Sequence, residues 1–383
     1  MKFARQFAAR FGAVIFCFCA AAHISRASDF AFGADLSFLK QAEERGQVFK
    51  DGTNALPGLQ IFKNHGFNWI RLRVFVEPVD GNLPNDLPYT IALAQDAKKL
   101  GYKFLLDFHY ANSWADPGKQ PAPEAWKNLT HKERVQKVFE YTRDTIAAFR
   151  EAGVLPDMVQ VGNEITVGML WPDGKLPAHW DNFADYVRAG VSGVHSGTGV
   201  SPVSFKSNQL RQNRTGETPM LLTPPKIMIH VDTGGNIAKT KWFFDNLNRY
   251  QISYDVIGFS FYPWWQGSLE DLRENLAFTA NSYGKDVIVV EAAYNWRPAR
   301  ESSGRVQPFP ETPEGQREFL DELTRIVMNT PNGRGKGIFW WEPAVAGRSG
   351  LVSRSFFDEN GNSLPVLSTF DKYTLPLPRT GGQ

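Results

Sequence analysis

Two glutamates of the 383-residue chain, Glu164 and Glu291, each follow a short apolar run of strand length. Asn163, an amide that can donate a hydrogen bond to a substrate hydroxyl, comes directly before the first of them. A pair of carboxyl groups facing one site can supply an acid and a nucleophile. A lone glutamate at a strand end is more often a cap or an ion-pair partner. Because these two lie about three strand–helix units apart, we expect them to face one another.

Other polar and aromatic residues end the neighbouring apolar runs. Arg71 and Arg73 alternate along the second run and therefore point to the same side of a strand. Two buried arginines require carboxylates nearby, since an unpaired buried charge is costly. Each later residue of this kind could belong to the core, but their recurrence at seven successive runs favours a site. They are Asp107, His109, Trp114, Asp116, His230, Asp232, Tyr262, Trp341 and Glu342. We expect Asp107 to pair with an arginine, and Glu342 to be either a substrate contact or a structural partner.

Eight apolar runs alternate with amphipathic segments of helical period. The predicted strands are 30–34, 67–76, 103–108, 158–161, 226–230, 256–261, 287–290 and 337–341. The predicted helices are 90–100, 134–150, 181–195, 239–250, 269–283 and 314–328, and a polar segment at 196–225 predicts a long loop. This order predicts an α/β fold, a single (β/α)8 TIM barrel with its active site at the C-terminal ends of the strands. A doubly wound open sheet is the alternative, but no glycine-rich phosphate turn follows the first run.

Residues 1–27 have the features of a signal peptide: a basic start, an apolar run at 13–22 and small residues near the end. We expect its cleavage to leave a catalytic barrel domain, residues 28–383, secreted to the extracellular space or a periplasm. The apolar run is too short to span a membrane. Cleavage would remove Cys17, Cys19 and four basic side chains but no acid, changing the net charge from +2 to −2. This excludes a disulfide framework and argues against a nucleic-acid partner.

Seven segments together resemble the endo-β-1,4-galactanases of glycoside hydrolase family 53, in the clan of barrels with catalytic glutamates on strands four and seven. They are NWIRLRVFVEP at 68–78, LLDFHYANSWADP at 105–117, VQVGNEITVGMLWP at 159–172, KIMIHVD at 226–232, DVIGFSFYP at 255–263, VVE at 289–291 and GIFWWEP at 337–343. They occur in order through nearly the whole chain after residue 27. The combined match is specific, whereas GNE alone would indicate only the clan.

The resemblance implies hydrolysis of β-1,4-galactan, a plant cell-wall polysaccharide of pectin side chains, with net retention and no cofactor. It makes Glu164 the acid/base and Glu291 the nucleophile, which retention requires to lie roughly 5–5.5 Å apart. We expect a monomer and no metal site, since residues 344–351 offer no acidic ligands. The resemblance places the following residues in or beside the substrate cleft: Arg71, His109, Trp114, Asp116, Asn163, Trp171, His230, Asp232, Tyr262 and Trp341.

The sequence leaves alternatives to a galactanase open. The chain departs from the family pattern at residues 233–236 after His230, and in the pair Trp264 and Trp265. Another endo-glycosidase of the clan, such as a mannanase, xylanase or glucanase, would share the catalytic pair. A carbohydrate-binding protein without activity is the alternative from another class, although both glutamates are present. A metal-dependent deacetylase or lyase is disfavoured because no HxxxH or HExxH spacing occurs.

Overall fold

The computed structural model describes residues 29–78, 82–199, 223–347 and 349–374, and in them eight parallel strands close into a barrel. The last strand pairs with the first, with Asp35 opposite Trp341. The TIM barrel predicted from the sequence is therefore confirmed. The barrel strands are β1 (Ala31–Asp35), β2 (Trp69–Val74), β3 (Lys103–Phe108), β4 (Met158–Val161), β5 (Lys226–Val231), β6 (Val256–Phe261), β7 (Asp286–Ala292) and β8 (Gly335–Trp341).

Helices follow the first seven strands on the outside of the barrel. They are α1 (Gly58–Asn64), α2 (Leu87–Lys99), α3 (His131–Glu151), α4 (Trp180–Gly197), α5 (Ile237–Asn248), α6 (Leu269–Tyr283) and α7 (Pro313–Met328). Side-chain caps set several starts: Thr130 and Glu133 form a capping box on α3, and Ser268 and Asp271 form one on α6. After β8 a 3-10 turn, Pro365–Phe370, and a short helix, Asp371–Thr374, replace an eighth long helix.

Shorter elements lie between these. They are the helices Leu39–Glu44 and Pro263–Gln266, the 3-10 turns Glu124–Trp126, Ile165–Val167, Pro331–Gly333 and Val352–Arg354, and two hairpins that pair Lys50–Asp51 with Asn54–Ala55 and Gly168–Met169 with Gly174–Lys175. The seven-residue helix α1 was absent from the sequence prediction, because about two turns carry little periodicity. Helix α4 extends to Gly197, so the predicted loop at 196–225 begins later than expected, and its residues 200–222 lie outside the described part of the chain.

Two apolar layers enclose the strands. The outer layer packs the helices against the barrel, and the inner layer fills the lower part of the barrel with one or two side chains per strand. The inner cluster consists of Ala31, Leu105, Met158, Met228, Val256, Ile288, Val290 and Phe339, with Trp69 against it. Above it, alternation along the same strands brings polar residues inward, including Asp35, Arg71, Asp107, Gln160 and His230. The barrel interior is therefore apolar at its base and polar beneath the active-site face.

The predicted signal peptide, with Cys17 and Cys19, falls outside the described residues. Within the four described ranges, no helix combines the length and apolar character needed to cross a membrane.

Candidate active site

A cleft of about 790 Å³ opens at the C-terminal ends of the barrel strands. Glu164, which follows β4, and Glu291, in β7, both line it. Strands β4 and β7 lie on opposite sides of an eight-stranded barrel, so the two glutamates divide the cleft into halves. One half is lined from β8 and β3, and the other from the loops after β5 and β6.

The backbone after β4 turns sharply to present Glu164. Gly162 has a φ of 85° and Glu164 a φ of 48°, both in the left-handed region. This conformation is unfavourable for a side-chain-bearing residue and is found disproportionately at functional sites. The 3-10 turn Ile165–Val167 continues from Glu164, and Glu164 is only 8% exposed.

A β-bulge orients Glu291. Between β6 and β7, Phe259 pairs with Val289, but the next residue, Ser260, pairs with Glu291. The extra residue, Val290, belongs to the inner apolar cluster, and Glu291 nevertheless reaches the polar layer. A bulge allows two consecutive side chains to face the same side of a strand. Glu291 Oε1 lies 2.7 Å from Arg71 Nη1, and Tyr262 Oη donates to Glu291 Oε2 at 3.0 Å.

The two carboxyl groups have different electrostatic surroundings. Burial raises the pKa of Glu164 well above its usual range, and repulsion from Glu291 and Asp232 adds to the rise. Burial also raises the pKa of Glu291, but the guanidinium of Arg71 opposes that rise. Glu164 is therefore the more readily protonated member of the pair, and Glu291 the one stabilised as an anion.

The two inward arginines of β2 have the carboxylate partners that the sequence predicted. Arg71 contacts Asp35 at 2.9 Å and Asp107 at 2.9 Å, in addition to Glu291. Arg73 contacts Asp35 at 2.7 Å and also Glu342. All six groups are buried, which places Glu342 among the structural partners. Burial raises the pKa of Glu342 to about 7, with repulsion from Asp35, although Arg73 opposes the rise.

Aromatic rings cover this ionic layer on the β3 and β8 side. The guanidinium of Arg73 lies 4.6 Å from the ring centroid of Trp114, and Trp114 meets Trp341 edge-on at 6.2 Å. His109 is fixed between Asp107, 3.0 Å from its Nε2, and the backbone N–H of Ala115, which donates to its Nδ1 at 3.1 Å. Indole faces of this kind suit the apolar faces of sugar rings.

Most of the predicted contact residues reach the cleft. Those that line it are His109, Trp114, Asp116, Asn163, Glu164, Asp232, Tyr262, Glu291 and Trp341. Arg71 and His230 have no exposed surface and lie beneath the cleft, so they support the site from below. Trp171 is not brought to the cleft: its Nε1 donates to Val167 O at 3.0 Å, and Lys175 lies over its ring at 4.2 Å. Its position after β4 suggested a subsite, but the loop folds the ring towards its own backbone.

Part of the cleft lining was not predicted from the sequence. Lys239 and Asp271 come from the starts of α5 and α6, and Trp265, 57% exposed, follows Tyr262. Arg354 enters from the loop after β8, where it contacts Glu301 at 2.5 Å and lies 5.3 Å from the ring centroid of Trp341. The Tyr-Pro-Trp-Trp order at residues 262–265 was a usable signal for Trp265, whereas nothing local distinguishes Arg354 from a surface arginine. No group of three or more His, Cys, Asp or Glu side chains in the described ranges has the arrangement of a metal site.

Comparison with known proteins identifies the family. The model of glycosyl hydrolase family 53 matches residues 31–370. The chain belongs to glycosyl hydrolase family 53. An arabinogalactan endo-β-1,4-galactanase of Thermothelomyces thermophilus is 33% identical over 360 residues, covering 89% of this chain and 98% of that protein. The family resemblance inferred from the sequence is confirmed, and the chain is a glycoside hydrolase.

Solved structures agree with this family assignment. The Ignisphaera aggregans family 53 catalytic domain superposes with a TM-score of 0.78 at 31% identity, covering 89% of this chain and 95% of that one. A structure from a study of two fungal β-1,4-galactanases gives a TM-score of 0.77 at 30% identity, covering 90% and 99%.

Proposed function

We propose that this family 53 enzyme hydrolyses internal β-1,4-galactosidic bonds in the galactan and arabinogalactan side chains of pectin, with net retention. The observation that carries the proposal is the pair of cleft glutamates with opposed surroundings: Glu291 beside the Arg71 guanidinium, Glu164 beside carboxylates. The names of the galactanase relatives support the choice of polymer. The family assignment favours this polymer over the mannan, xylan or glucan of other clan members.

In the first step Glu291 attacks the anomeric carbon, and Glu164 gives its proton to the glycosidic oxygen as that bond breaks. This yields a galactosyl–enzyme ester and a shortened chain. In the second step Glu164, now ionised, takes a proton from water, and the resulting hydroxide displaces Glu291 from the anomeric carbon. The contacts of Arg71 and Tyr262 with Glu291 stabilise it as the anion that attacks and leaves.

Positioning of the sugar involves the amide before the acid/base. Asn163 Nδ2 donates one hydrogen to Ala115 O at 2.9 Å. We assign its second hydrogen to the 2-hydroxyl of the attacked sugar, because Asn163 lines the cleft directly before Glu164. Such a bond strengthens in an oxocarbenium-like transition state. Trp114 and Trp341 provide ring faces for sugars on one side of the pair, and Trp265 does so on the other. An open cleft lined on both sides suits an enzyme that cuts within a chain.

A polymeric substrate requires the enzyme to act outside the cytoplasm. The predicted signal peptide at residues 1–27 supports secretion to the extracellular space or a periplasm. The proposed enzyme acts as a monomer. It needs no cofactor, since the two carboxyl groups and water supply every bond made and broken.

The test is the product profile on linear β-1,4-galactan, with the anomer of the new reducing end followed by proton NMR from the first seconds. Mixed oligosaccharides whose first-formed anomer is β support the proposal. Equal or greater release from mannan, xylan or glucan would contradict the substrate, and an α first product would contradict retention.

Azide distinguishes the two glutamates. We expect Glu291→Ala and Glu164→Ala each to lose at least about a thousandfold in kcat/KM on galactan while retaining binding to it. With azide and an aryl galactobioside, Glu291→Ala should form the α-azide, and Glu164→Ala the β-azide through the covalent intermediate. Exchanged azide products would reverse the roles, and full turnover by Glu291→Ala would remove the nucleophile assignment.

A further inference from the structure

Two buried residues form a chain of hydrogen bonds behind Glu164. Ser260 Oγ lies 2.6 Å from Glu164 Oε1, and His230 Nε2 lies 2.9 Å from Ser260 Oγ. His230 Nδ1 in turn lies 3.0 Å from Asn163 Oδ1. Neither Ser260 nor His230 has any exposed surface. They therefore cannot touch a substrate and can act on the reaction only through Glu164 and Asn163.

The partners of Asn163 determine which nitrogen of His230 carries the hydrogen. Arg71 Nη2 donates to Asn163 Oδ1 at 2.8 Å, so that atom is the amide oxygen and accepts from Nδ1 as well. Gln160 Nε2 lies 3.2 Å from the same oxygen, but its two hydrogens have nearer acceptors, Asp107 Oδ1 at 2.5 Å and Gly162 O at 3.1 Å. The backbone N–H of Glu164 is also directed at Nδ1, at 3.4 Å, and favours the other tautomer, but this contact is longer and weaker than the 3.0 Å contact with Asn163 Oδ1. The hydrogen of neutral His230 thus belongs on Nδ1.

His230 remains neutral in this environment. Burial and the guanidinium of Arg71 lower its pKa well below the usual range, and His109 acts in the same direction. The charged or titratable groups around His230 and Glu164 come from six strands or the residues that follow them. Glu164 follows β4, His230 lies in β5 and Asp232 follows it. The others are Arg71 from β2, Asp107 and His109 from β3, Tyr262 after β6 and Glu291 from β7. Nε2 of His230 therefore offers a lone pair, and among the described residues the hydroxyl of Ser260 is the group placed to donate to it.

This assignment uses the only proton of Ser260. While Glu164 is protonated, the serine oxygen presents a lone pair to Glu164 Oε1 and accepts a hydrogen bond from it. An ionised Glu164 instead accepts from the Ser260 hydroxyl across the same 2.6 Å, a contact that by itself lowers the pKa of Glu164 but takes the hydroxyl proton away from His230. We propose that Ser260 and His230 are positioning residues that hold the catalytic proton on Glu164 between turnovers. When Glu164 ionises, the Ser260 hydroxyl must turn towards it and leave His230 Nε2 without a donor. The proposal rests on the acid role of Glu164 in the proposed function.

The pH dependence of kcat/KM tests the direction of the effect. The alkaline limb reports loss of the proton from the general acid. In Ser260→Ala we expect this limb to move to lower pH by about one unit, with the acid limb and KM unchanged. Ser260→Thr, which keeps a hydroxyl, should restore it. Ser302→Ala, a buried serine in the loop after β7, is the matched control and should leave both limbs in place. An alkaline limb that moves to higher pH, or does not move, would overturn the proposal.

A measurement on the wild-type enzyme is independent of how the variants fold. In protein labelled with 15N-histidine, NMR distinguishes a neutral ring protonated on Nδ1 from one protonated on Nε2, and His230→Gln assigns the signal. The Nδ1–H form supports the proposal, and the Nε2–H form overturns it. A wrong assignment of the acid can be distinguished from a wrong assignment of the hydrogen-bond chain. If Glu164→Gln hydrolysed galactan normally, Glu164 would not be the acid. Loss of activity in Glu164→Gln, together with an unmoved limb in Ser260→Ala, would contradict the hydrogen-bond chain alone.

Discussion

Two residues of the same type perform different tasks here because their neighbours differ. Glu291 accepts from a guanidinium and a phenol, both of which favour the anion. Glu164 faces the carboxylates of Glu291 and Asp232 in a buried position, which favours the protonated form. The arrangement separates the pKa values of two glutamates, as the acid and the nucleophile of a glycosidase require.

Substitution of Trp265 tests whether the half of the cleft formed by the loops after β5 and β6 binds sugar. The ring of Trp265 is 57% exposed, so Trp265→Ala should hardly change stability. Loss of a stacking surface should raise KM for galactan about three- to tenfold and leave hydrolysis of a short aryl galactoside nearly unchanged. Trp242→Ala removes a tryptophan of α5 that is 38% exposed and outside the cleft, and serves as the control. Equal effects of both variants on KM would contradict a sugar contact at Trp265.

At the scale of elements, the turn after β4 carries the acid/base. A Cβ on Gly162 would lie 2.6 Å from Ile165 Cγ2, in addition to the strain of its φ of 85°. Gly162→Ala should therefore destabilise the fold by about 1–3 kcal/mol and reduce kcat more than it changes KM, because the turn that orients Glu164 is displaced.

Gly153→Ala is the matched control for this turn. Gly153 has a φ of 75°, but no atom of the described residues outside its own chain neighbours lies within 4 Å of a Cβ placed there, and it follows α3 away from the cleft. It should show a loss of unfolding free energy of about 1 kcal/mol in urea denaturation, with normal kinetics. If both variants kept full kcat, the turn would not control the position of Glu164.

At the scale of the whole molecule, the ionic layer links barrel closure to the active site. Asp107 is fully buried in this layer, and despite the opposing effect of burial, Arg71 and His109 lower its pKa to about 2 from a usual value of 3.8. A depressed carboxyl pKa stabilises the fold above about pH 4, and that stability is lost as the pH falls through about 2.

Asp107→Asn should remove this pH-dependent contribution. The difference in unfolding free energy between wild type and Asp107→Asn should be constant above about pH 4 and shrink by about 2 kcal/mol as the pH falls towards 2. Urea denaturation over a pH series measures it. Asp96→Asn, which alters a half-exposed surface pair with Lys99, should give a small difference that varies little with pH. A difference for Asp107→Asn that grows on acidification would contradict the assignment.

Features that depend on local order could be predicted from the sequence. Periodicity located the eight strands, and chain spacing put Glu164 and Glu291 on opposite sides of the barrel. Alternation along β2 showed that Arg71 and Arg73 face inward and need acids. These inferences hold because side-chain direction in a strand and the order of strand–helix units are properties of neighbouring residues.

Which groups meet depends on the tertiary fold and could not be predicted from the sequence. Glu342 reaches Arg73, 269 positions away in sequence, because barrel closure places β8 beside β1, and β1 is the neighbour of β2. The bulge at Val290 reverses the local alternation that a sequence can show, and it is what brings Glu291 to Arg71. Loop conformation likewise took Trp171 away from the cleft and brought Arg354 to it. Contacts across the barrel mouth depend on how distant loops pack, and no pattern of adjacent residues records that packing.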